Sequence, residues 1–233
     1  VSKSPLSNGI ANPCCGGYFG PNLKFAGYDI LILEGQAPSP VYLYIRDDQV
    51  ELRKADHLWG KWSTATEHAL RKELGEADSL DDWQLSDLSV VSIGPAGENL
   101  VRFACIMADG GRAAGRSGLG AVMGSKNLKG IAVSGTGQVD VADVTGFSQA
   151  VMDFLEEGRV NRTLYNRRTY GTWALPGRAN KSGTQATRNF QEGYSKAFEW
   201  YEDPNNVRDH IRVRDEACFG CPFACSKRSL IPN

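Results

Sequence analysis

Three closely spaced cysteines near the end of the chain have the pattern of a metal-binding loop. Cys218, Cys221 and Cys225 spell C-x2-C-x3-C in a sequence of 233 residues. Thiolates are soft ligands that suit iron–sulfur clusters and zinc, and short spacings let one loop wrap around a cluster. A cubane cluster takes four thiolates, so a fourth ligand would have to come from another part of the protein. The spacing favours an iron–sulfur cluster.

Zinc and unligated thiols are the alternatives for this loop. Structural zinc sites usually combine two C-x2-C units or add histidines. The chain has three histidines, and only His210 lies near the three cysteines in sequence. Because the cysteines are clustered and not spread over a small secreted scaffold, we expect metal binding or redox chemistry before disulfides.

A glycine-rich segment with two arginines, residues 110–120, has the composition of an anion-binding loop. Arg112 and Arg116 each offer a rigid bidentate fork that matches phosphate. Backbone N–H groups of glycine-rich turns form concavities that bind anions. The stretch from Gly118 to Met123 is expected to begin a short helix. The segment matches neither a P-loop nor a dinucleotide-binding fingerprint, and a tight loop packed between strands is the alternative.

A second glycine-containing loop lies near the start of the chain. Residues 1–28 are rich in Gly, Pro, Asn and Ser, which is typical of tight turns, and they include Cys14-Cys15-Gly16-Gly17. Glycine lets a backbone approach a ligand closely. The alternative is a turn with two buried thiols, since free cysteine often behaves as a small hydrophobic residue.

Strands and one helix are predicted to position these two loops. Apolar and β-branched runs predict the strands, and an apolar stripe at helical spacing predicts the helix. Ser63 or Thr64 is expected to cap the helix and Gly75 to end it. The predicted strands are 28–34, 41–46, 50–53, 88–93, 100–107 and 128–133, with a hairpin about Asp47-Asp48, and the helix is 63–74.

The pattern of the sequence changes near residues 135–142. Residues 140–157 have apolar side chains at helical spacing, and polar, arginine-rich segments follow. One of these segments, residues 187–190, is either a solvated loop or an anion contact. We therefore predict an α+β fold, in which residues 1–138 form a mixed α/β domain built on β-sheets. Residues 139–233 are expected to be the start of a mainly helical domain.

The composition is that of an ordinary globular chain. Hydrophobic residues make up 41% and charged residues 23%, and the formal net charge is −1. The charge argues against nucleic acid or an anionic membrane as partner. No apolar run approaches the roughly 18–20 residues of a membrane span, and no signal peptide opens the chain. We therefore expect a cytoplasmic protein, and we expect the sequence to be a piece of a longer one.

Several longer stretches, in order along nearly the whole chain, are similar to one known family. The long glycine–arginine string is far more specific than a short motif. The matching stretches are Lys3–Leu6, Gly16–Lys24, Ala26–Asp29, Ile93–Asn99, Gly111–Arg116 through Gly124–Lys129, Thr187–Phe190 and the three-cysteine pattern. On these stretches the chain resembles the tungsten-dependent aldehyde:ferredoxin oxidoreductases.

The resemblance implies two cofactors. The first domain would cradle a bis-pterin group that carries tungsten, or molybdenum in some relatives, with Mg²⁺ bridging the pterin phosphates. The three cysteines would supply three of four ligands to a [4Fe–4S] cluster. The implied pterin-lining residues are Arg112, Ala113, Ala114, Gly115 and Arg116, with a backbone carbonyl of this run on Mg²⁺.

The first loop departs from the family pattern at one position. The resemblance implies that Gly16 also lines the pterin and that a magnesium-binding asparagine lies two residues before it. This chain has Cys14 at that position, and Asn12 is the nearest asparagine. Asn12 and Cys14 are therefore both candidates for this contact.

The implied activity is oxidation of an aldehyde to its carboxylate, with electrons passing through the cubane to ferredoxin. The expected partners are ferredoxin or a similar electron acceptor and a small aldehyde, and the expected assembly is a homodimer. Alternatives are aromatic acyl-CoA ring reduction or formate oxidation in the same family, or a non-catalytic metal-binding or electron-transfer module. We assign no catalytic acid or base within these residues, and we expect the piece alone to be incomplete and inactive.

Overall fold

The computed structural model describes residues 1–75 and 87–230. The chain divides into two compact units, Val1–Asp140 and Val141–Asn233. The sequence-based domain assignment at residue 138 stays a prediction, because it also assigns a cofactor to each domain.

The first unit contains eight strands and four helices among its described residues. In chain order they are β1 (Ser2–Lys3), β2 (Ile10–Ala11), α1 (Phe19–Phe25), β3 (Val41–Arg46), β4 (Gln49–Lys54), α2 (Ser63–Glu73), β5 (Leu88–Ser92), α3 (Pro95–Glu98), β6 (Ile106–Ala108), β7 (Arg112–Ala114), α4 (Leu119–Ser125) and β8 (Leu128–Ser134).

Six of these strands form one mixed sheet in the order β4-β3-β8-β5-β6-β7. The pair β3–β8 is parallel and the other neighbours are antiparallel. The small strands β1 and β2 pair with each other, with Ser2 opposite Ala11. The predicted mixed α/β fold with a β-sheet is confirmed, as is the hairpin about Asp47-Asp48.

The central strands β3, β8 and β5 are buried on both faces, which explains their nearly continuous apolar runs. Successive side chains of a strand point to opposite faces. On β3, Tyr42 and Tyr44 therefore join one core with Leu70 of α2, whereas Leu43 and Ile45 join the other. A strand with both faces covered favours apolar residues at most positions, and a polar residue there needs a buried partner.

The strand predicted at residues 28–34 is wrong. This segment is irregular, and it has no strand partner among the described residues. Leu31 and Leu33 pack against the core beside β3, whereas Ile30 and Ile32 are each 76% exposed. The alternation of buried and exposed side chains produced the strand signal, but a strand also needs a hydrogen-bonding partner.

Two further local predictions are wrong, one about the extent of a strand and one about the cap of a helix. Of the strand predicted at residues 100–107, only residues 106 and 107 lie in a strand, at the start of β6. Leu100 has a φ of 57°, which is outside the extended range that a strand requires. The helix α2 is present and Gly75 follows it with a φ of 83°. Its N-cap position is Trp62, and neither Ser63 nor Thr64 provides a side-chain cap.

A buried ion pair joins three separate segments of the first unit. The ammonium of Lys129, on β8, binds the Glu98 carboxylate of α3, and the two side chains are 0% and 4% exposed. Lys129 Nζ also donates to the carbonyl of Lys61 at 2.8 Å, and Gly60 N–H donates to Glu98 Oε2 at 2.8 Å. Burial lowers the pKa of Lys129, although Glu98 opposes the shift. The pair thus connects the sheet to the loop after β4.

Replacement Glu98→Gln is expected to destabilise the protein by about 3 kcal/mol, because it leaves a buried ammonium without its counter-charge. The double variant Glu98→Gln/Lys129→Met should recover most of this loss, since it removes both charges. Urea unfolding of the full-length protein, followed by tryptophan fluorescence, measures both effects. Equal destabilisation by the single and double variants would contradict the ion-pair explanation.

The second unit contains four helices and one β-hairpin among its described residues. They are α5 (Val144–Val160), α6 (Arg162–Tyr170), α7 (Pro176–Lys181), α8 (Pro204–His210), β9 (Arg212–Glu216) and β10 (Ser226–Ser229). The predicted helix after residue 140 is confirmed as α5, and Asp143 caps it by accepting from Gly146 N–H at 2.9 Å. Its apolar residues Val144, Phe147 and Met152 are exposed in this unit. In the described part of the chain, no helix is both long and apolar enough to cross a membrane.

Candidate functional site

A cavity of about 510 Å³ lies between the first loop and the glycine–arginine segment. Its lining consists of Asn12, Pro13, Cys14, Ala113, Gly115, Arg116 and Ser117. Five predicted site residues, Asn12, Cys14, Ala113, Gly115 and Arg116, therefore meet around one space. Gly16, Arg112 and Ala114 adjoin this lining in sequence but do not belong to it in the described part of the chain.

The two thiols of the first loop are not buried. Cys14 and Cys15 are both exposed, so the alternative of a turn with two buried thiols is wrong. Cys15 Sγ lies 3.3 Å from the carbonyl oxygen of Gly16 and donates to it. The loop thus presents Cys14 to the cavity.

One buried carboxylate connects the two loops. Asp109 is 1% exposed, and its Oδ2 accepts from the N–H of Tyr18 at 2.8 Å. Its Oδ1 accepts from the Ser89 hydroxyl and from Val90 N–H on β5. Asp109 therefore attaches the first loop to the central sheet at the point where the glycine–arginine segment begins. Sequence reasoning missed this residue, because nothing near it in sequence indicates a partner 91 residues away.

A second buried carboxylate holds the next residue of the segment. Glu67, on α2, accepts from the N–H of Gly110 at 2.8 Å and is paired with Arg71 at 2.9 Å. Arg71 also donates to the carbonyl of Leu88 at 2.8 Å. Burial raises the pKa of Glu67 even though Arg71 opposes the shift. Nothing in the local sequence singles out Glu67, which in the structure positions Gly110.

Arg112 has an incompletely satisfied guanidinium group. Its Nη2 is buried and has no hydrogen-bond partner within residues 1–75 and 87–230. A buried polar group without a partner costs about 1–3 kcal/mol, so this donor would gain from a bound acceptor. Together with Arg116 on the adjoining cavity, Arg112 supplies positive charge and unused donors. These residues fit an anionic group that carries phosphate.

Gly17 is a close-approach position in the first loop. It has a φ of +112°, and a Cβ placed on it would lie 2.7 Å from Asp109 Oδ2 and 3.3 Å from Arg112 Cγ. A side chain at this position is therefore disfavoured by both backbone conformation and space.

We expect Gly17→Ala to lower the free energy of unfolding by about 2 kcal/mol, because it combines left-handed strain with a displaced Asp109. The matched control is Gly20→Ala, which lies on α1 with open space around its Cβ position. The control should be neutral or slightly stabilising. Urea unfolding of both variants checks the difference, and equal effects would show that the contact with Asp109 is unimportant.

The three-cysteine loop is the connection of the β9–β10 hairpin, in which Glu216 pairs with Ser226. Cys221 N–H donates to the carbonyl of Cys218 at 3.1 Å, and Gly220 has a φ of 64°. All three thiols are partly exposed and unpaired. The loop therefore offers three soft donors in one turn, which is the donor chemistry of a thiolate-ligated iron–sulfur cluster.

The spacing of these thiols bears on the zinc alternative. Within the described ranges, no three His, Cys, Asp or Glu side chains are close enough to hold a single metal ion. This holds for a zinc ion and for an iron–sulfur cluster alike, so the arrangement of the three thiols does not separate the two alternatives.

Phe154 and Gly171 pack directly against the cysteine loop, which itself contains Phe223. Phe223 contacts Phe154 of α5 edge to face, with ring centroids 5.5 Å apart. Gly171 has a φ of +61°, and a Cβ on it would lie 2.1 Å from the carbonyl oxygen of Cys225. Sequence reasoning identified neither contact and did not predict the hairpin, because short polar strands such as Arg212–Glu216 lack an apolar alternation.

The chain matches two family models that together span most of its length. Residues 1–135 match the N-terminal domain of aldehyde ferredoxin oxidoreductase, and residues 149–233 match domains 2 and 3 of the same family. The tungsten-containing aldehyde ferredoxin oxidoreductases of Thermococcus kodakarensis and Pyrococcus furiosus are each 44% identical over 100% of this chain. The chain spans only 37% of the length of each of these relatives.

Two more distant similarities show relatives with other names. The WOR-like subunit of an aliphatic sulfonate oxidoreductase from Pyrococcus furiosus is 36% identical over 99% of the chain. Among solved structures, the active site complex BamBC of benzoyl coenzyme A reductase, in complex with 1,5-dienoyl-CoA, superposes with a TM-score of 0.72. That chain is 31% identical, and the match covers 98% of this chain and 35% of that one. The chain belongs to the aldehyde ferredoxin oxidoreductase family.

Proposed function

We propose that this chain is part of a tungsten or molybdenum bis-pterin oxidoreductase. The whole protein would oxidise aldehydes to carboxylates and pass electrons through a [4Fe–4S] cluster to ferredoxin or a similar acceptor. The observation that carries this proposal is the similarity, over the full chain, to tungsten-containing aldehyde ferredoxin oxidoreductases. The cavity in the first unit and the cysteine loop in the second support it.

The first unit would hold the pterin phosphates. The Arg112 and Arg116 guanidinium groups would bind them, and the buried Arg112 Nη2 would gain the acceptor that it lacks. Ala113 and Ala114 have only a methyl side chain and Gly115 has none, which leaves room for the ring system. The carboxylates of Asp109 and Glu67 would keep both loops in place through Tyr18 and Gly110.

Asn12 is the better candidate of the two for the Mg²⁺ contact. Mg²⁺ is a hard cation that prefers oxygen ligands, and a carboxamide oxygen suits it better than the thiol of Cys14. Both residues line the cavity, so the choice rests on their chemistry. Backbone carbonyls of Gly16 and of the run at 113–115 would complete the ligands from this chain.

The residues of this chain supply position and charge rather than proton transfer. When bound, the metal–pterin group supplies the two-electron oxidation and the cluster supplies one-electron transfer. Cys218, Cys221 and Cys225 would hold the cluster as thiolates, with a fourth ligand from outside these residues. The cytoplasmic location and the homodimer expected from the sequence stay predictions.

A second candidate function is reduction of an aromatic acyl-CoA ring. The similarity to the benzoyl coenzyme A reductase complex favours it, since that match also covers nearly the whole chain. The residues of this chain that would bind the cofactors do not by themselves distinguish the two substrates.

The test is to purify the full-length protein without oxygen and to measure its metals and its substrate. We expect one tungsten or molybdenum and about four irons per chain, with negligible zinc. Aldehydes should then reduce ferredoxin or an artificial acceptor. Reaction with an aromatic acyl-CoA instead would select the second candidate, and zinc without iron or tungsten would refute both.

A further inference from the structure

The side chain of Lys227 is buried beside the cysteine loop. It lies two residues after Cys225 and is 3% exposed. Its ammonium group lies 2.9 Å from Asp215 Oδ1 and donates to the carbonyl of Ala224 at 3.1 Å. It also donates to the carbonyl of Arg168 at the end of α6. The three partners come from three segments, so the position of the charge is well determined.

Lys227 is in direct contact with the peptide that precedes Cys225. Ala224, whose carbonyl accepts from Lys227, has a φ of 38°, which is unfavourable for a residue with a side chain. A Cβ on Gly171 would lie 3.1 Å from Lys227 Cγ, so the stem of the lysine fills the space between Gly171 and the loop. The ammonium group is therefore held next to the backbone that carries the third thiol.

Lys227 and Asp215 carry opposite charges but differ in exposure. Asp215 is the anion that faces Lys227, and it is shared with Arg212 at 3.1 Å. Asp215 is 34% exposed, so solvent screens its charge more than that of Lys227. A buried cation near a redox centre stabilises the state that has gained an electron, and a nearby anion does the opposite.

We propose that the Lys227–Asp215 pair sets the reduction potential of the iron–sulfur cluster bound by the three cysteines, with Lys227 raising it and Asp215 lowering it. This inference rests on the proposed function, because it requires the cluster. The step concerned is uptake of one electron by the oxidised cluster from the metal–pterin group and its release to the acceptor. No bond forms or breaks, and neither residue touches substrate.

The test is a potentiometric titration of the full-length protein, in which electron paramagnetic resonance reports the reduced cluster. Lys227→Met should lower the ratio of reduced to oxidised cluster at a fixed potential by at least about threefold, and Asp215→Asn should raise it by a smaller factor, because solvent partly screens Asp215. A threefold change corresponds to about 28 mV for one electron, at 59 mV for each tenfold change. A purely structural role would not produce shifts of opposite sign.

The matched control is Arg159→Gln. Arg159 lies on α5 in the same unit, and its side chain is 73% exposed and lies 3.0 Å from Glu156. This variant also removes one positive charge and should leave the ratio unchanged within about a factor of two, because water screens an exposed charge.

The outcomes separate the inference from the proposed function. Shifts of the same sign, or no shift in variants with full iron content, would overturn the inference and leave the function intact. If Lys227→Met binds no cluster, the Asp215→Asn titration decides alone, and an unchanged or lowered ratio overturns the inference. A wild-type protein without iron would remove the proposed function itself.

Discussion

Replacement Arg112→Met should remove most of the metal–pterin group without destabilising the cofactor-free protein. The Nη2 atom of Arg112 is buried and has no hydrogen-bond partner in the described part of the chain, so methionine breaks no bond at that atom. Loss of charge-assisted hydrogen bonds to a phosphate costs about 1.5–3 kcal/mol, which lowers affinity by roughly 10- to 100-fold. Tungsten or molybdenum per chain should fall accordingly after dialysis.

The stability of the cofactor-free variant separates a role of Arg112 in cofactor binding from a role in the fold. Most buried arginines stabilise a fold through their partners, and their loss lowers the unfolding midpoint. For Arg112 we expect the urea midpoint to stay the same or to rise, because a buried polar group without a partner costs about 1–3 kcal/mol. Lower stability together with normal metal content would show that Arg112 serves the fold and not the cofactor.

Arg46→Met is a suitable control for the loss of a positive charge. Arg46 ends β3 and is exposed, on the same sheet but outside the cavity lining. This variant should keep both its metal content and its unfolding midpoint. If it lost the metal as Arg112→Met does, the effect would come from net charge and not from a specific contact.

The second large effect is expected for Cys221→Ser. Cys221 lies at the centre of the C-x2-C-x3-C pattern, and serine is a poor ligand for a soft iron–sulfur cluster. Iron should fall from about four per chain to less than one, and the signal of the reduced cluster should disappear. Iron analysis and electron paramagnetic resonance of the full-length protein measure both.

Cys105→Ser provides the matched control for this variant. Cys105 belongs to the first unit, where its Sγ lies 3.6 Å from Met107 Sδ. Its replacement should leave iron unchanged. Equal loss of iron in both variants would point to general damage, and full iron in Cys221→Ser would show that this cysteine is not a ligand.

Local patterns in the sequence predicted much of the first unit. The tyrosine-rich strand β3, its hairpin with β4 and the helix α2 follow from apolar runs, turn residues and helical spacing. The segment at 28–34 shows where such patterns fail. Its alternation is real, but the side chains Leu31 and Leu33 reach the core without forming a strand. Pairing is decided by the rest of the fold and not by the segment itself.

The positions of the site residues along the sequence were easier to predict than the groups that hold them. Chemistry-bearing types such as Arg112 and Cys14 are recognisable by composition, and both loops were identified as candidates. Asp109 and Glu67 were not, because their role is defined by partners far away in sequence, at Tyr18 and Gly110. A single sequence contains no signal for a contact between residues that share no local pattern.

The two candidate sites differ in the length of chain that each must close. The cysteine loop is bounded by a hairpin in which Glu216 pairs with Ser226, so only a short loop has to close. The cavity requires Tyr18 to reach Asp109, 91 residues away, across a sheet that contains the late strand β8. Short loops close faster and at lower entropic cost than long ones. When the complete chain refolds, the cysteine hairpin can therefore form before the first unit has finished folding, whereas the cavity must wait for the sheet that carries Asp109.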